Sequence, residues 1–170
     1  LGQEHPDYAS SLQNLAAVYR VMGQYKKAEP LYLESKAIRE KTLGREHPDY
    51  AASLQNLAVL YQDMGQYEKA EPLYLESKAI REKALGRESP DYAESLNNLA
   101  GLYRIMGQYE KVEPLLLELS TVNMRLIEQA LHHLSESELN NYLDEFSNGQ
   151  NQTLSFTQIA DSKKMIPVCY

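Results

Sequence analysis

The feature that most constrains this chain is a recurrence with a period of 42 residues. The first two repeats differ at only eight of their 42 positions, and the third keeps the pattern to about Glu118. A fixed period of this length is typical of a solenoid, in which each unit buries its apolar face only against its neighbours. The sequence therefore predicts an all-α array of three repeats, 1–42, 43–84 and 85–126, followed by a non-repeating segment, 127–170.

Each repeat is predicted to form two helices, as the second repeat illustrates. A residue before proline avoids helical angles, so His47 should cap a helix that begins at Pro48. Gly65 should end this helix, and the second helix should span 67–84 with a slight bend at Pro72. The predicted inner faces repeat at three- and four-residue steps: Leu54, Leu57, Ala58 and Tyr61 in the first helix, Ala70, Leu73, Tyr74 and Ser77 in the second, and Leu12, Leu15, Ala16 and Tyr19 in the first helix of repeat one.

The non-repeating segment is predicted to be helical too. Ser135 to Glu138 has the form of a capping box and would open a short helix. Asn148-Gly149 indicates a turn, and a last helix should run from about 153 to 165. Because a solenoid needs a cover over its exposed apolar end, we expect 127–170 to act as a C-terminal helical cap or linker.

Composition narrows the classes of function. The net charge of −7 repels phosphate backbones and anionic lipid, so we expect neither nucleic-acid nor membrane binding. Cys169 is the only cysteine and can form no internal disulfide, which favours a reducing, cytoplasmic compartment. The sequence contains no phosphate-binding glycine loop and no serine-nucleophile motif. We therefore expect no cofactor and no enzymatic activity within these residues.

The histidines offer little chemistry. His5 and His47 stand at helix starts where repeat three has Ser89, another good cap, so capping explains all three. His132 and His133 are adjacent and point to different sides of a helix, whereas a metal site needs ligands on one side. We expect no catalytic residue and no metal ligand.

The repeated phrases resemble a known family. Leu-Gly-Arg-Glu-His-Pro-Asp-Tyr-Ala, Leu-Gln-Asn-Leu-Ala, Met-Gly-Gln-Tyr and Ala-Ile-Arg-Glu-Lys are similar to the 42-residue tetratricopeptide repeats (TPRs) of kinesin light chains and their bacterial relatives. The resemblance covers residues 1 to about 118. It implies a right-handed α-α superhelix whose concave wall, built from first helices, binds extended peptides.

The tail has a resemblance of its own. Residues 126–143, Leu-Ile-Glu-Gln-Ala-Leu-His-His-Leu-Ser-Glu-Ser-Glu-Leu-Asn-Asn-Tyr-Leu, are similar to the linker that joins such repeats to a CHAT domain. CHAT domains resemble caspases and carry a Cys-His dyad. The resemblance implies that this chain is the sensor part of a larger bacterial regulator or protease, whose catalytic domain would follow Tyr170.

Differences between near-identical repeats indicate a candidate binding surface. The variable positions of the first helices fall at offsets 0, 3, 7, 10 and 11, which occupy one arc of about 100° on a helix. Exposed positions could vary by drift alone. Against drift, second-helix positions expected to be exposed, such as Glu34, Lys36 and Arg39, are unchanged in repeat two. The predicted groove comprises this arc and the asparagines on its edge: Ser10, Gln13, Asn14, Ala17, Arg20, Ala52, Gln55, Asn56, Val59, Gln62, Glu94, Asn97, Asn98 and Arg104.

Two residue types within this set suggest how a ligand would bind. Asn14, Asn56 and Asn98 are identical in the three repeats. Their amides could form hydrogen bonds with the peptide units of a ligand, a role that the family resemblance also implies. Alternatively, each asparagine bonds the neighbouring repeat and shapes the superhelix. Arg20 and Arg104 could pair with acidic ligand groups or be ordinary surface arginines.

Three hypotheses for function follow from these patterns. The first is a protein-interaction module that binds a peptide in the groove. The second is a scaffold that self-associates into a homo-oligomer, because near-identical repeats can exchange between chains. The third is a cargo adaptor like kinesin light chain.

Overall fold

The structure, a computed structural model, describes residues 5–133, with side chains to residue 129. This part is entirely helical, which confirms the predicted fold class. Residues as far as Glu128 belong to one compact unit. The capping box, the Asn148-Gly149 turn and the last predicted helix lie outside the described residues. The six helices are α1 (Pro6–Val21), α2 (Tyr25–Leu43), α3 (Pro48–Asp63), α4 (Tyr67–Leu85), α5 (Pro90–Ile105) and α6 (Tyr109–His133).

The helix boundaries follow the predicted signals. The Nδ1 atom of His47 accepts a hydrogen bond from the backbone N–H of Asp49 at 3.1 Å, and Pro48 is the first helical residue. The hydroxyl of Ser89 accepts a hydrogen bond from the N–H of Tyr92 at 3.2 Å, so this serine caps α5, as predicted. Gly65 has φ of 72°, the left-handed geometry that glycine adopts most readily. Pro72 lies inside α4 without ending it.

Small residues let the two helices of each repeat approach closely. Ala16, Ala28, Ala58 and Ala70 are completely buried in one apolar cluster. Alanine at a helix crossing shortens the distance between axes, and larger neighbours then fill the space around it. Each predicted inner-face residue of repeat two is buried except Leu73, which packs against the same cluster at its edge.

The prediction for Leu15 was wrong. It was expected on the packing face, but it is 45% exposed, whereas its equivalents Leu57 and Leu99 are 2% exposed. Helix α2 packs on α3, and α4 packs on α5, but no described helix covers the corresponding side of α1. The repeat pattern predicts that this side of every first helix is apolar. It does not predict in which repeat the side is left uncovered by another helix.

The expectation that Arg39 is exposed was also wrong. Arg39 and its equivalent Arg81 are buried, with 7% and 4% of their surface exposed. Each guanidinium links a first helix of its own repeat to the first helix of the next. Burial explains why Arg39 is unchanged between repeats, so its identity is no argument against drift at exposed positions.

Candidate functional site

The predicted groove residues belong to the first helices α1, α3 and α5, and their positions on these helices are called the first-helix face. Arg20 and Asp63 join two first helices on this face through an ion pair of 2.6 Å. Burial lowers the pKa of the Arg20 guanidinium, but its hydrogen bond and charge interaction with Asp63 outweigh this effect and raise it. The pair therefore holds Arg20 against the neighbouring repeat and neutralises its charge.

The N-terminal part of the first-helix face is bonded to the buried arginines. The Ser10 hydroxyl accepts from Nη2 of Arg39 at 3.2 Å, and the exposed Glu94 carboxylate lies 3.2 Å from Nη1 of Arg81. Gln55 also accepts from Arg81, and only 7% of its surface is exposed. Gln55 was predicted to contact a ligand in the groove. Its amide oxygen instead accepts a hydrogen bond from the buried guanidinium of Arg81.

The C-terminal part of the face contains a depression in the third repeat, with a volume of about 200 Å³. It brings together four predicted groove residues from two consecutive first helices. Both polar and apolar residues line it. The lining residues are Gln62, Asn97, Asn98, Ala100, Gly101, Arg104, Val112 and Leu116.

Two substitutions explain why the depression lies in the third repeat. In the second repeat, the Tyr74 hydroxyl donates to Oε1 of Gln62 at 3.2 Å, so the tyrosine occupies this place. The equivalent residue in repeat three is Leu116, which is shorter and has no hydroxyl. Gly101 stands where repeat two has Val59, and a β-carbon built there would meet no atom within 4 Å. The loss of a phenol and of a valine side chain leaves space in front of Arg104.

The electrostatics of the depression differ from those of repeat one. Arg20 is neutralised by Asp63, but within residues 5–133 no hydrogen bond or ion pair engages the exposed guanidinium of Arg104. A positive charge thus borders a recess whose other polar groups are the amides of Gln62, Asn97 and Asn98. This arrangement suits a ligand with one anionic group and several backbone carbonyl and N–H groups.

The three invariant asparagines remain available to a ligand. Asn14 is exposed, Asn56 and Asn98 are half-buried, and among the described residues none of their amides bonds to another side chain or to backbone. Within that part of the chain, no hydrogen bond supports the alternative that each asparagine bonds the neighbouring repeat. Gln13, Ala17, Ala52 and Val59 are half-buried along the same face.

Sequence reasoning missed Val112 and Leu116, because it searched for variation only within first helices. Both come from the second helix of repeat three. A signal was present, since Ala28 and Ala70 become Val112, and Tyr32 and Tyr74 become Leu116. Extending the comparison to second helices would have found them.

Comparisons with known proteins decide the family. The sequence model of the tetratricopeptide repeat matches residues 7–77 and 53–122, which together cover more than half of the chain. The chain belongs to the tetratricopeptide repeat family. Its TPRs form a non-catalytic scaffold, so this chain is a protein-interaction module and not an enzyme.

Solved structures place the repeats in a particular group. Two crystal structures of a Podosopora anserina protein, described as a kinesin light chain with nearly identical TPR-like repeats, match at 34% and 35% identity, with TM-scores of 0.66 and 0.62. They cover 75% and 79% of this chain and 60% and 61% of their own, so this chain spans about three fifths of their length. These repeats are of the kinesin-light-chain type.

A third structure agrees in fold alone. BtubC (BKLC) from P. vanneervenii is 22% identical, has a TM-score of 0.65, and covers 79% of this chain and 50% of its own. No curated protein matches the chain significantly. Within residues 5–133, no helix has both the length and the apolar character needed to cross a membrane, and no cluster of His, Cys, Asp and Glu could hold a metal ion.

Proposed function

We propose that the first-helix face binds a peptide segment of a partner protein, with the depression of repeat three as its principal anchor. The observation that carries this proposal is the convergence of Gln62, Asn97, Asn98 and Arg104 on one recess. The variation and invariance among the repeats independently predict all four as groove residues. Their convergence supports a common role.

The chemistry of the recess indicates how the peptide would be held. The amides of Asn97 and Asn98 offer donors and acceptors to peptide units, whereas Gln62, whose Oε1 accepts from Tyr74, offers its amide NH2 as a donor. Arg104 offers a charge-assisted pair to a ligand carboxylate. Leu116 and Val112 offer an apolar wall for one side chain. Gln55 is excluded from this set, because its amide oxygen already accepts from Arg81.

A display screen of random peptides against the whole chain would test the proposal. Peptides selected on the unmodified protein should bind Arg104→Ala about tenfold more weakly, since one desolvated charge-assisted bond contributes roughly 1.4 kcal/mol. Leu116→Tyr, which restores the residue of repeats one and two, should fill the recess and weaken binding as well. Circular dichroism would show that both variants remain helical.

Arg20→Ala provides a matched control at the equivalent repeat position. Its guanidinium is already paired with Asp63, so its loss should change affinity far less than loss of Arg104. If the selected peptides bind Arg104→Ala, Asn98→Ala and Leu116→Tyr as tightly as the unmodified protein, the recess is not the ligand site.

We further propose that the module is the sensor part of a larger, cytoplasmic bacterial protein of the TPR-CHAT type. Residues 126–143 support this through their resemblance to the linker of such proteins. The test is the reading frame beyond Tyr170, where a histidine and a cysteine nucleophile should occur in a caspase-like domain. A frame that continues as further kinesin-light-chain sequence would instead favour a cargo adaptor.

One observation favours a second candidate function, a self-associating scaffold. Leu15 and Val18 are 45% and 54% exposed on the same side of α1, and such a surface can drive association. Light scattering over a hundredfold range of concentration would decide. A constant monomer mass would exclude the scaffold.

A further inference from the structure

The second helices carry an exposed stripe of residues at equivalent positions. In α4 the stripe comprises Glu68, Pro72, Leu75, Ala79 and Lys83, and all five are exposed. Their spacing of three and four residues places them within an arc of about 80° on one side of the helix. We call these five residues the outer stripe of α4, and Leu75, which is 44% exposed, lies at its centre.

The apolar part of the stripe is the same in the first two repeats. In α2, Pro30, Leu33 and Ala37 stand at these positions and are exposed as well. Other exposed positions differ between the two repeats, as Val21 and Asp63 do. Exposed apolar surface that recurs while other exposed positions change indicates an interaction site.

The charged ends of the stripe distinguish α4 from α2. The two helices differ at only two positions, and one of these differences places Glu68 where α2 has Lys26. The outer stripe of α4 therefore begins with an acid and ends with a base, Lys83, whereas the stripe of α2 has a lysine at each end, Lys26 and Lys41. In α6, Thr121 replaces the alanine of the apolar part. Among the three stripes, that of α4 alone combines opposite charges at its ends with an uninterrupted apolar centre.

Both charged ends of the stripe are accessible to a partner. Among residues 5–133, no ion pair engages the exposed carboxylate of Glu68. Lys83 pairs with Glu46, but the two side chains are 68% and 76% exposed, and such a pair contributes little to stability. The ammonium of Lys83 can therefore exchange Glu46 for a carboxylate of a partner at small cost.

The outer stripe of α4 is complementary to itself when two copies meet antiparallel. Glu68 and Lys83 lie about 10.5 and 12 Å along the helix axis on either side of Leu75, and Pro72 and Ala79 lie about 4.5 and 6 Å from it. A two-fold axis at Leu75 therefore places Glu68 beside Lys83 of the second copy, and Pro72 beside Ala79 of the second copy. Because the axis makes each contact twice, two pairs of opposite charges flank a central contact between the leucines. Two copies of α2 would instead bring lysine against lysine, and facing like charges oppose association.

We propose that the outer stripe of α4 is a docking surface for a second copy of this chain, which packs antiparallel about a two-fold axis at Leu75. The surface is separate from the peptide groove on the first helices and from the uncovered side of α1. A single pair of helices buries less area than a stable complex needs, so the dimer forms at high protein concentration and dissociates on dilution.

Sedimentation velocity of the full chain over a roughly hundredfold range of concentration measures this association. The unmodified chain should pass from monomer to dimer as its concentration rises. Leu75→Lys places two like charges at the axis and should raise the dissociation constant by about tenfold or more. Because Leu75 is exposed and lysine is a good helix former, circular dichroism should show that the variant remains folded. Leu15→Lys, on the uncovered side of α1, is the matched control and should leave the dissociation constant unchanged.

A charge swap tests the antiparallel register. Glu68→Lys gives α4 the outer stripe of α2, and Lys83→Glu gives it an acid at each end. Each change turns two attractive pairs into repulsive ones and should weaken the dimer by about tenfold. The double variant Glu68→Lys, Lys83→Glu pairs opposite charges again, so its dissociation constant should return to within about threefold of that of the unmodified chain.

Cysteine cross-linking tests the position of the two-fold axis. In a Cys169→Ser background, Leu75→Cys should give a disulfide-linked dimer on mild oxidation, because residue 75 of one copy lies next to residue 75 of the other. Leu33 is equally exposed at the equivalent position of α2, but the axis does not bring it next to its own counterpart. Leu33→Cys should therefore remain monomeric under the same oxidation.

A chain that stays monomeric at every concentration would overturn the proposal. A dimer that survives Leu75→Lys, a double charge variant that stays as weak as the single variants, or equal cross-linking of Leu33→Cys would overturn it too. A dimer lost only in Leu15→Lys would assign the association to α1, so that the self-associating scaffold would stand without this interface. Peptides selected for the recess should bind Leu75→Lys with unchanged affinity, which separates this test from that of the groove.

Discussion

Removal of the Arg81 guanidinium should destabilise the array strongly. Its Nη1 atom lies within hydrogen-bonding distance of the Gln55 amide oxygen, the Asp91 carbonyl, the Ser95 hydroxyl and the Glu94 carboxylate. Arg81→Met keeps the aliphatic volume and leaves these acceptors without their cation. Glu94 is 53% exposed and can turn to water, but Gln55 and Ser95 are buried, at 7% and 1% exposure.

The magnitude follows from the buried acceptors. Each buried acceptor left without a partner costs roughly 1–3 kcal/mol, and Ser95 retains its own bond to Asp91. We therefore expect a loss of about 2–4 kcal/mol in the free energy of unfolding. With a urea m-value of about 2 kcal/mol/M, the midpoint should fall by about 1–2 M.

Urea unfolding followed by circular dichroism would measure this, with Lys83→Met as the control. Lys83 also pairs with a glutamate, Glu46, but both side chains are largely exposed, so its removal should cost at most about 1 kcal/mol. The reasoning would be refuted if Arg81→Met and Lys83→Met shifted the midpoint equally, because burial would then not set the cost.

Two further predictions concern backbone geometry and pH. Gly101→Ala, in a helix interior with room for a β-carbon, should stabilise by about 0.5–1 kcal/mol, whereas Gly65→Ala, at φ of 72°, should destabilise by about 1 kcal/mol in the same urea assay. Burial and the hydrogen bond to Glu29 raise the pKa of Tyr61 to about 12 from 10.0, and Tyr103 behaves alike. The folded state therefore favours the protonated phenols, so their contribution to stability is complete below pH 10 and is lost as the pH rises toward 12; a Tyr61→Phe, Tyr103→Phe variant should show a smaller fall in stability over this range.

The sequence predicted most of the fold, because its signals are local and occur three times. Proline after the cap, glycine after the helix and apolar residues at helical spacing each depend on one repeat alone. The burial of Leu15 and of Arg39 was predicted wrongly for the same reason, because it depends on contacts with an adjacent repeat. Periodicity makes Leu15 and Leu57 equivalent, and only the presence of a covering helix separates them.

The candidate site was less predictable than the fold. Variation between repeats selected Gln62, Asn97, Asn98 and Arg104, which lie around one recess. It also selected Gln55, whose amide oxygen a buried arginine occupies. The spacing of residues along one helix predicts which side of that helix they lie on. It does not predict whether a side chain from another helix, such as Arg81, already contacts them.

In an array of near-identical units, a surface made from the repeated residues looks the same at every unit and so cannot define one position along the array. Distinct positions arise where the units differ. Leu116 and Gly101 depart from the repeat and open the recess beside Arg104. Ser120 and Asn123, one and two turns further along α6, replace the lysine and the arginine that contact the next first helix in repeats one and two. The same helix thus borders the candidate site and carries residues that differ from those of the two described junctions between repeats, so both departures from the repeat occur in α6.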